Sequence, residues 1–238
     1  MVLTYSDEIW ETDAGPMPVP PTDLLSDEPP LETSLHLQQM LLLLKCLDWL
    51  WKDRSDYFAA GNLTVYYSMR QRKSEDFRGP GFFVVLDTEN HPRNSWTVWQ
   101  EDGKYPDVIV ELLSESTADT DRGLKKQIYR DIFRTPEYFW FGPDTLEFVG
   151  HRLVGRSYER LEPNEQGQLW SDTLGLFLGV HDGKLRFFDA EGRLVPTPEE
   201  AATRAESRVE QAESRAERAE SEMERLAARL REMGADPA

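Results

Sequence analysis

PDVIVELLSEST, residues 106–117, reads as a β-strand with a charge in its middle. Val108, Ile109, Val110, Leu112 and Leu113 form a nearly continuous aliphatic run, the composition of a strand covered on both faces. Glu111 interrupts that run. A carboxylate in such a strand needs a partner charge, a set of hydrogen-bond donors or a metal ion. A place at a sheet edge, or a lysine beside it, is the structural alternative to a functional role.

Two flanking runs have the same character: GFFVVL at 81–86 and EYFWF at 137–141. Between them the chain predicts a helix over 122–133. Shorter strands are expected at 63–69, 95–100, 145–153, 158–161 and 184–188, separated by Gly, Asn and Pro turns. An earlier helix is predicted over 33–53, capped by Thr33 or Ser34, with Leu37, Met40, Leu41, Leu44, Leu47 and Leu50 or Trp51 at helical spacing. Apolar residues occur on almost every side of it, so burial on two sides is expected. Helix, several strands, helix, strand is an α/β (α+β) order, with a mixed β-sheet core flanked by helices.

Three regions differ in composition. Residues 1–32 are rich in proline and acid and read as an extended arm, laid on the core through Ile9, Trp10, Leu24 and Leu25. Residues 33–195 are the folded domain. From Ala202 a 3,4 spacing of apolar residues runs through Ala205, Val209, Ala212, Ala216, Ala219, Met223, Leu226, Leu230 and Met233, which predicts a coiled-coil helix over 199–233. With Val209 at position a, a parallel dimer sets Arg208 against Glu213 and Arg215 against Glu220 of the second copy, whereas an antiparallel pair opposes like charges. A homodimer through Val209, Met223, Leu226 and Leu230 is the expectation. A single solvated helix, or one folded back on its own domain, is the alternative.

The chain has 238 residues, 39% hydrophobic, with a formal net charge of −17. That charge repels nucleic acid at long range and counts against a protein that coats DNA, though not against one that grips it in a local cleft. One cysteine, Cys46, rules out a disulfide within the chain, so a reducing cytoplasm is expected. No segment has the pattern of a signal peptide or a membrane span.

Several motifs together resemble one family. PDVIVELLSEST, Gly123-Leu-Lys125, Tyr129, Pro136-Glu137-Tyr138 and the upstream RGPGFFVV (78–85) are similar to the Uma-two family of restriction-endonuclease-like, PD-(D/E)XK-type nucleases. The tail, PTPEEA followed by heptads, resembles cyanobacterial-type members. The resemblance implies a Mg²⁺ (or Mn²⁺) dependent DNA endonuclease. A hard cation held by an Asp and a Glu on adjacent strands would polarise the phosphodiester and activate water, and a lysine would offset the developing charge.

Carried over by position, the strand glutamate is Glu111 and the lysine is Lys125, with Lys126 a substitute. The family's first aspartate falls on Gly81, which offers no ligand, so the resemblance implies an impaired site or a non-catalytic DNA- or protein-binding relative. Asp107 is no simple replacement. It shares a face with Glu111 but lies about 13 Å away at about 3.3 Å per residue, while Mg²⁺ ligands sit at about 2.1 Å. Asp87 is too far along its strand. Glu75 and Asp76 precede it in a loop, and Asp121 suits a helix cap. Ser114, Ser116 and His36 are supporting candidates, and Tyr129 reads as packing. Arg70, Arg72, Lys73 and Arg78 form one basic cluster and Lys125 with Lys126 a second, of the kind phosphate contact requires.

Overall fold

Thr33 starts the first helix: its hydroxyl oxygen accepts the His36 N–H at 3.3 Å, satisfying one of the donors a helix start leaves unpaired. The computed structural model describes residues 24–26, 33–68, 77–113 and 121–232, with backbone only at 77, 78, 121, 122 and 230. Helix α1 spans Ser34–Leu50. Then come β1 (Tyr57–Gly61), β2 (Val65–Tyr66), β3 (Phe77–Arg78), β4 (Phe82–Leu86), β5 (Trp96–Thr97), a 3-10 turn at Val98–Gln100 and β6 (Val108–Leu112). The helical segment at 121–133, here α2, is an α turn (Lys126–Ile128) between two π-helical turns (Asp121–Lys125 and Tyr129–Phe133). It leads to β7 (Glu137–Phe141), β8 (Phe148–Val154), β9 (Ser157–Arg160), β10 (Leu169–Ser171), β11 (Leu176–His181), β12 (Lys184–Phe188) and the long α3 (Pro198–Glu232).

The main sheet has six strands in the order β1-β4-β6-β7-β8-β9. β6 and β7 run parallel, and α2 is the crossover between them. The other pairs are antiparallel. A three-stranded antiparallel sheet, β10-β11-β12, and a small sheet, β3-β2-β5, flank it. The mixed sheet with helices on both faces is the expected fold class.

Side chains alternate across the central strands with the two-residue period of a pleated sheet. Phe82, Val84, Val108, Val110, Leu112, Phe139 and Phe141 face α1 and the β10–β12 sheet. Phe83, Val85, Ile109, Leu113, Tyr138 and Trp140 face α2 and the small sheet. Glu111 shares its parity with Ile109 and Leu113, so it stands on the α2 side.

Helix α1 departs from expectation. It buries one stripe, His36, Gln39, Met40, Leu43, Cys46 and Leu47, and leaves Leu35, Leu37, Leu41, Trp49 and Leu50 exposed. The apolar abundance of its sequence hid a one-sided helix. Gln39 sits in the buried stripe because its amide takes both backbone groups of Leu185 at 2.9 Å, covering the open edge of β12.

Residues 24–26 lie against the domain, tied by Ser95 Oγ to the Leu24 carbonyl at 2.7 Å and by Ser26 N to the Asn94 carbonyl at 3.0 Å. The contact is through backbone and hydroxyls; Leu25 itself is exposed. Ile9 and Trp10 lie outside the described residues.

The C-terminal helix is rooted at its first turn. The Thr197 hydroxyl accepts Glu200 N at 3.2 Å and a Glu200 carboxylate oxygen accepts Thr197 N at 2.9 Å, a reciprocal capping box. Glu200 also holds buried Arg186 of β12, at 2.6 and 3.0 Å, and Glu199 meets Lys45 of α1 at 2.6 Å. Beyond Ala201 nearly every described residue is exposed, so the helix does not fold back on its own domain. Among the described residues, no helix is long and apolar enough to cross a membrane.

Candidate active site

The main-sheet register sets the site. β4 and β6 pair antiparallel with Phe82 opposite Val110, which continues to Gly81 opposite Glu111. β6 and β7 pair with Glu111 beside Trp140. The four-residue spacing of Lys125 and Tyr129 puts both on one face of α2, over the same spot. Glu111, Gly81 and Lys125, distant in sequence, therefore meet.

Glu111 is 2% exposed. One carboxylate oxygen, Oε1, accepts the Tyr129 hydroxyl at 2.6 Å and lies 3.2 Å from Lys125 Nζ; the other, Oε2, accepts the Gly81 N–H at 3.1 Å. These contacts supply the compensation a buried carboxylate requires. Tyr129, fully buried, has a polar role at the site that its sequence context did not disclose. The only signal was its four-residue offset from Lys125.

Gly81 brings a main-chain donor to Glu111 where the resemblance implied a carboxylate. A Cβ built there would stand 3.0 Å from Leu112 N and 3.2 Å from the Val110 carbonyl oxygen. A side chain at 81 thus presses on the β6 backbone, and the strand must give by a few tenths of an ångström to accept one.

The family model described as "Putative restriction endonuclease", Uma2, matches residues 24–182. The chain belongs to the Uma2 family. Among solved structures, a putative nuclease belonging to DUF820 from Anabaena variabilis ATCC 29413 is similar at 14% identity with a TM-score of 0.45, over 62% of this chain and 76% of that one. No curated protein matches.

The other residues marked as Uma2 site candidates separate. Asp107 lies at the far end of β6 and accepts Leu86 N at 2.8 Å. Burial pushes its carboxyl up, opposed by that hydrogen bond. It is a strand-entry residue, with no contact to Glu111. His36 is buried at the exit of β6, with Nε2 3.1 Å from the Leu113 carbonyl and Nδ1 2.7 Å from the Thr33 hydroxyl. It supports the strand end rather than touching Glu111. Lys126 turns away from Glu111, its Nζ 2.9 Å from His151 Nε2 and over the Trp140 ring. Ser114, Ser116, Glu75, Asp76, Arg70, Arg72 and Lys73 lie outside the described residues, as do the side chains of Arg78 and Asp121.

Mg²⁺ takes six oxygens in near-octahedral geometry, usually with one or two carboxylates. The described residues do not fit such a site. They bring one carboxylate, both of whose oxygens already accept from donors, and no group of three His, Cys, Asp or Glu among them could hold a metal.

His151 gives a pH dependence. Burial first, then Lys126 and Arg160, lower its imidazole to about 4, against about 6.5 in an unfolded chain. Between those values the unfolded chain binds more protons, so stability is full above about pH 6.5 and falls as pH drops towards 4, by up to a few kcal/mol. Urea unfolding across this range should show that loss, and His151→Gln should flatten it.

Proposed function

We propose that this Uma2 protein binds DNA on the α2 side of its sheet and that its metal-dependent phosphodiester hydrolysis is impaired. Gly81 carries the reading, because the position opposite Glu111 gives an N–H and no carboxylate. Lys125 then acts as the counter-ion of Glu111 and holds a positive charge at the site. The second reading is a non-catalytic DNA- or protein-binding relative, in which the Glu111 cluster only stabilises the fold.

Copies of the chain associate, in this proposal, as a parallel homodimer through α3. The exposed Val209, Met223 and Leu226 on a helix that stands clear of its domain favour this.

Plasmid cleavage with Mg²⁺ or Mn²⁺ tests the reading. The chain as it stands should cut weakly or not at all, and Gly81→Asp should gain Mn²⁺-dependent cutting. The gain should come at a stability cost of about 1–3 kcal/mol, because the added side chain crowds β6. Robust cleavage by the unchanged chain, abolished by Glu111→Ala, would refute the impairment.

A further inference from the structure

Beside Glu111, on the same face, lies a cluster with donors and no carboxylate acceptor. Trp140 stands next to Glu111 across the β6–β7 pair, His151 pairs with Tyr138 on β8, and Arg160 pairs with His151 on β9. Lys126 reaches down from α2, 2.9 Å from His151 Nε2 and 5.4 Å from the Trp140 ring centre. The lysine donates, so Nε2 accepts and the imidazole proton sits on Nδ1.

That Nδ1 faces the backbone of Tyr138, whereas the Trp140 indole nitrogen is buried with no hydrogen-bond partner among the described residues. Both side chains are more than nine-tenths buried. Arg130 is bonded to Asp131 at 2.7 and 2.8 Å. Among the described residues, Lys126 and Arg160 have no carboxylate within ion-pair distance. Burial, Arg130 and Arg160 lower the Lys126 ammonium, as uncompensated positive charge does. Buried polar groups are nearly always paired, and the orphaned indole N–H calls for a water or an ion to complete it.

We propose that Lys126, Arg160 and the Trp140–His151 pair form a binding site for a phosphate group, and that the phosphate is a backbone phosphodiester of DNA held beside Glu111. This rests on the DNA-binding reading above. Lys126 and Arg160 supply charge-assisted hydrogen bonds, and the indole N–H a neutral one. Placed one strand over from Glu111, the site would position the strand without itself being a catalytic centre.

The full-length chain is titrated with inorganic phosphate at constant ionic strength, with chloride as control. The Trp140 indole N–H resonance, assigned through Trp140→Phe, reports binding. A saturating shift is expected with phosphate, and with a short DNA duplex at lower concentration. Lys126→Gln and Arg160→Gln should each weaken the phosphate response about tenfold. Arg160 is exposed, so its variant should fold normally. In duplex binding, Arg160→Gln should reduce the salt-dependence slope by about 1. If phosphate does no more than chloride, or both variants respond like the unchanged chain, the phosphate site is refuted, even where DNA still binds elsewhere. A phosphate response with no DNA binding would instead overturn the assignment to DNA, and the functional reading with it.

Discussion

Replacing Glu137 by alanine is expected to cost the fold about 3–5 kcal/mol, the range for breaking one partner out of a buried ion pair. Glu137 opens β7 and is 1% exposed. Its Oε1 accepts from Arg152 at 3.0 and 3.2 Å and from Asp172 N at 2.9 Å, and its Oε2 accepts the Ser171 hydroxyl. Arg152 in turn donates to the Trp170 carbonyl at 3.1 Å and meets Asp172 at 2.7 Å. One carboxylate thus fastens the main sheet to β10 of the second sheet. Without it the Ser171 hydroxyl and Asp172 N–H lose a buried acceptor, and Arg152 keeps only Asp172 and a carbonyl. Such a loss is a large share of the 5–15 kcal/mol that holds a domain. Glu137→Gln keeps the volume and an acceptor, so its cost should be smaller, about 1–3 kcal/mol. Urea unfolding of both variants measures this; a change under about 1 kcal/mol for the alanine variant would show that the hub is not structural.

Removing residues 205–238 is expected to halve the mass of the protein in solution. The cut leaves Glu199 and Glu200 in place, so the contacts to Lys45 and Arg186 survive and the domain keeps its anchor. What is lost is the heptad seam. Its first half, Ala202, Ala205, Ala212, Ala216 and Ala219, buries little area, so association should rest on Met223, Leu226, Leu230 and Met233. Met223→Asp with Leu226→Asp in the full chain should separate the copies as completely as the truncation does. The interhelical Arg–Glu pairs are surface pairs worth about 0–1 kcal/mol each and select orientation more than strength. Light scattering decides: an unchanged mass in the truncated chain removes the dimer.

The sequence disclosed the centre of the fold better than its margins. Glu111 stood out because a carboxylate in an aliphatic run has few physical explanations, and the three central strands were visible as nearly continuous apolar runs. Gly81, Glu111 and Lys125 could be brought together on paper because the family motif orders them, and the register places them so. Tyr129 was not legible as a polar partner: a hydroxyl's acceptor 18 residues away leaves no mark on local pattern. β10 was missed because it has three residues, and β1 and β11 because their composition is mixed. Ala59, Ala60 and Gly61 in β1 carry none of the β-branched enrichment that marks a strand. The separation of Lys125 from its neighbour Lys126 also needed coordinates, since consecutive residues on a helix point about 100° apart.

The root of α3 carries a directional consequence. Lys45 and Arg186, which grip its first turn, belong to the layer behind the main sheet, among Cys46, Leu47, Leu185 and Phe187. Glu111 is buried on the front side. At 35 residues and about 1.5 Å each, the helix is a shaft of about 52 Å anchored at the back. The tail is therefore rooted in the layer opposite Glu111, and its first turn is held by side chains separate from those that hold the carboxylate.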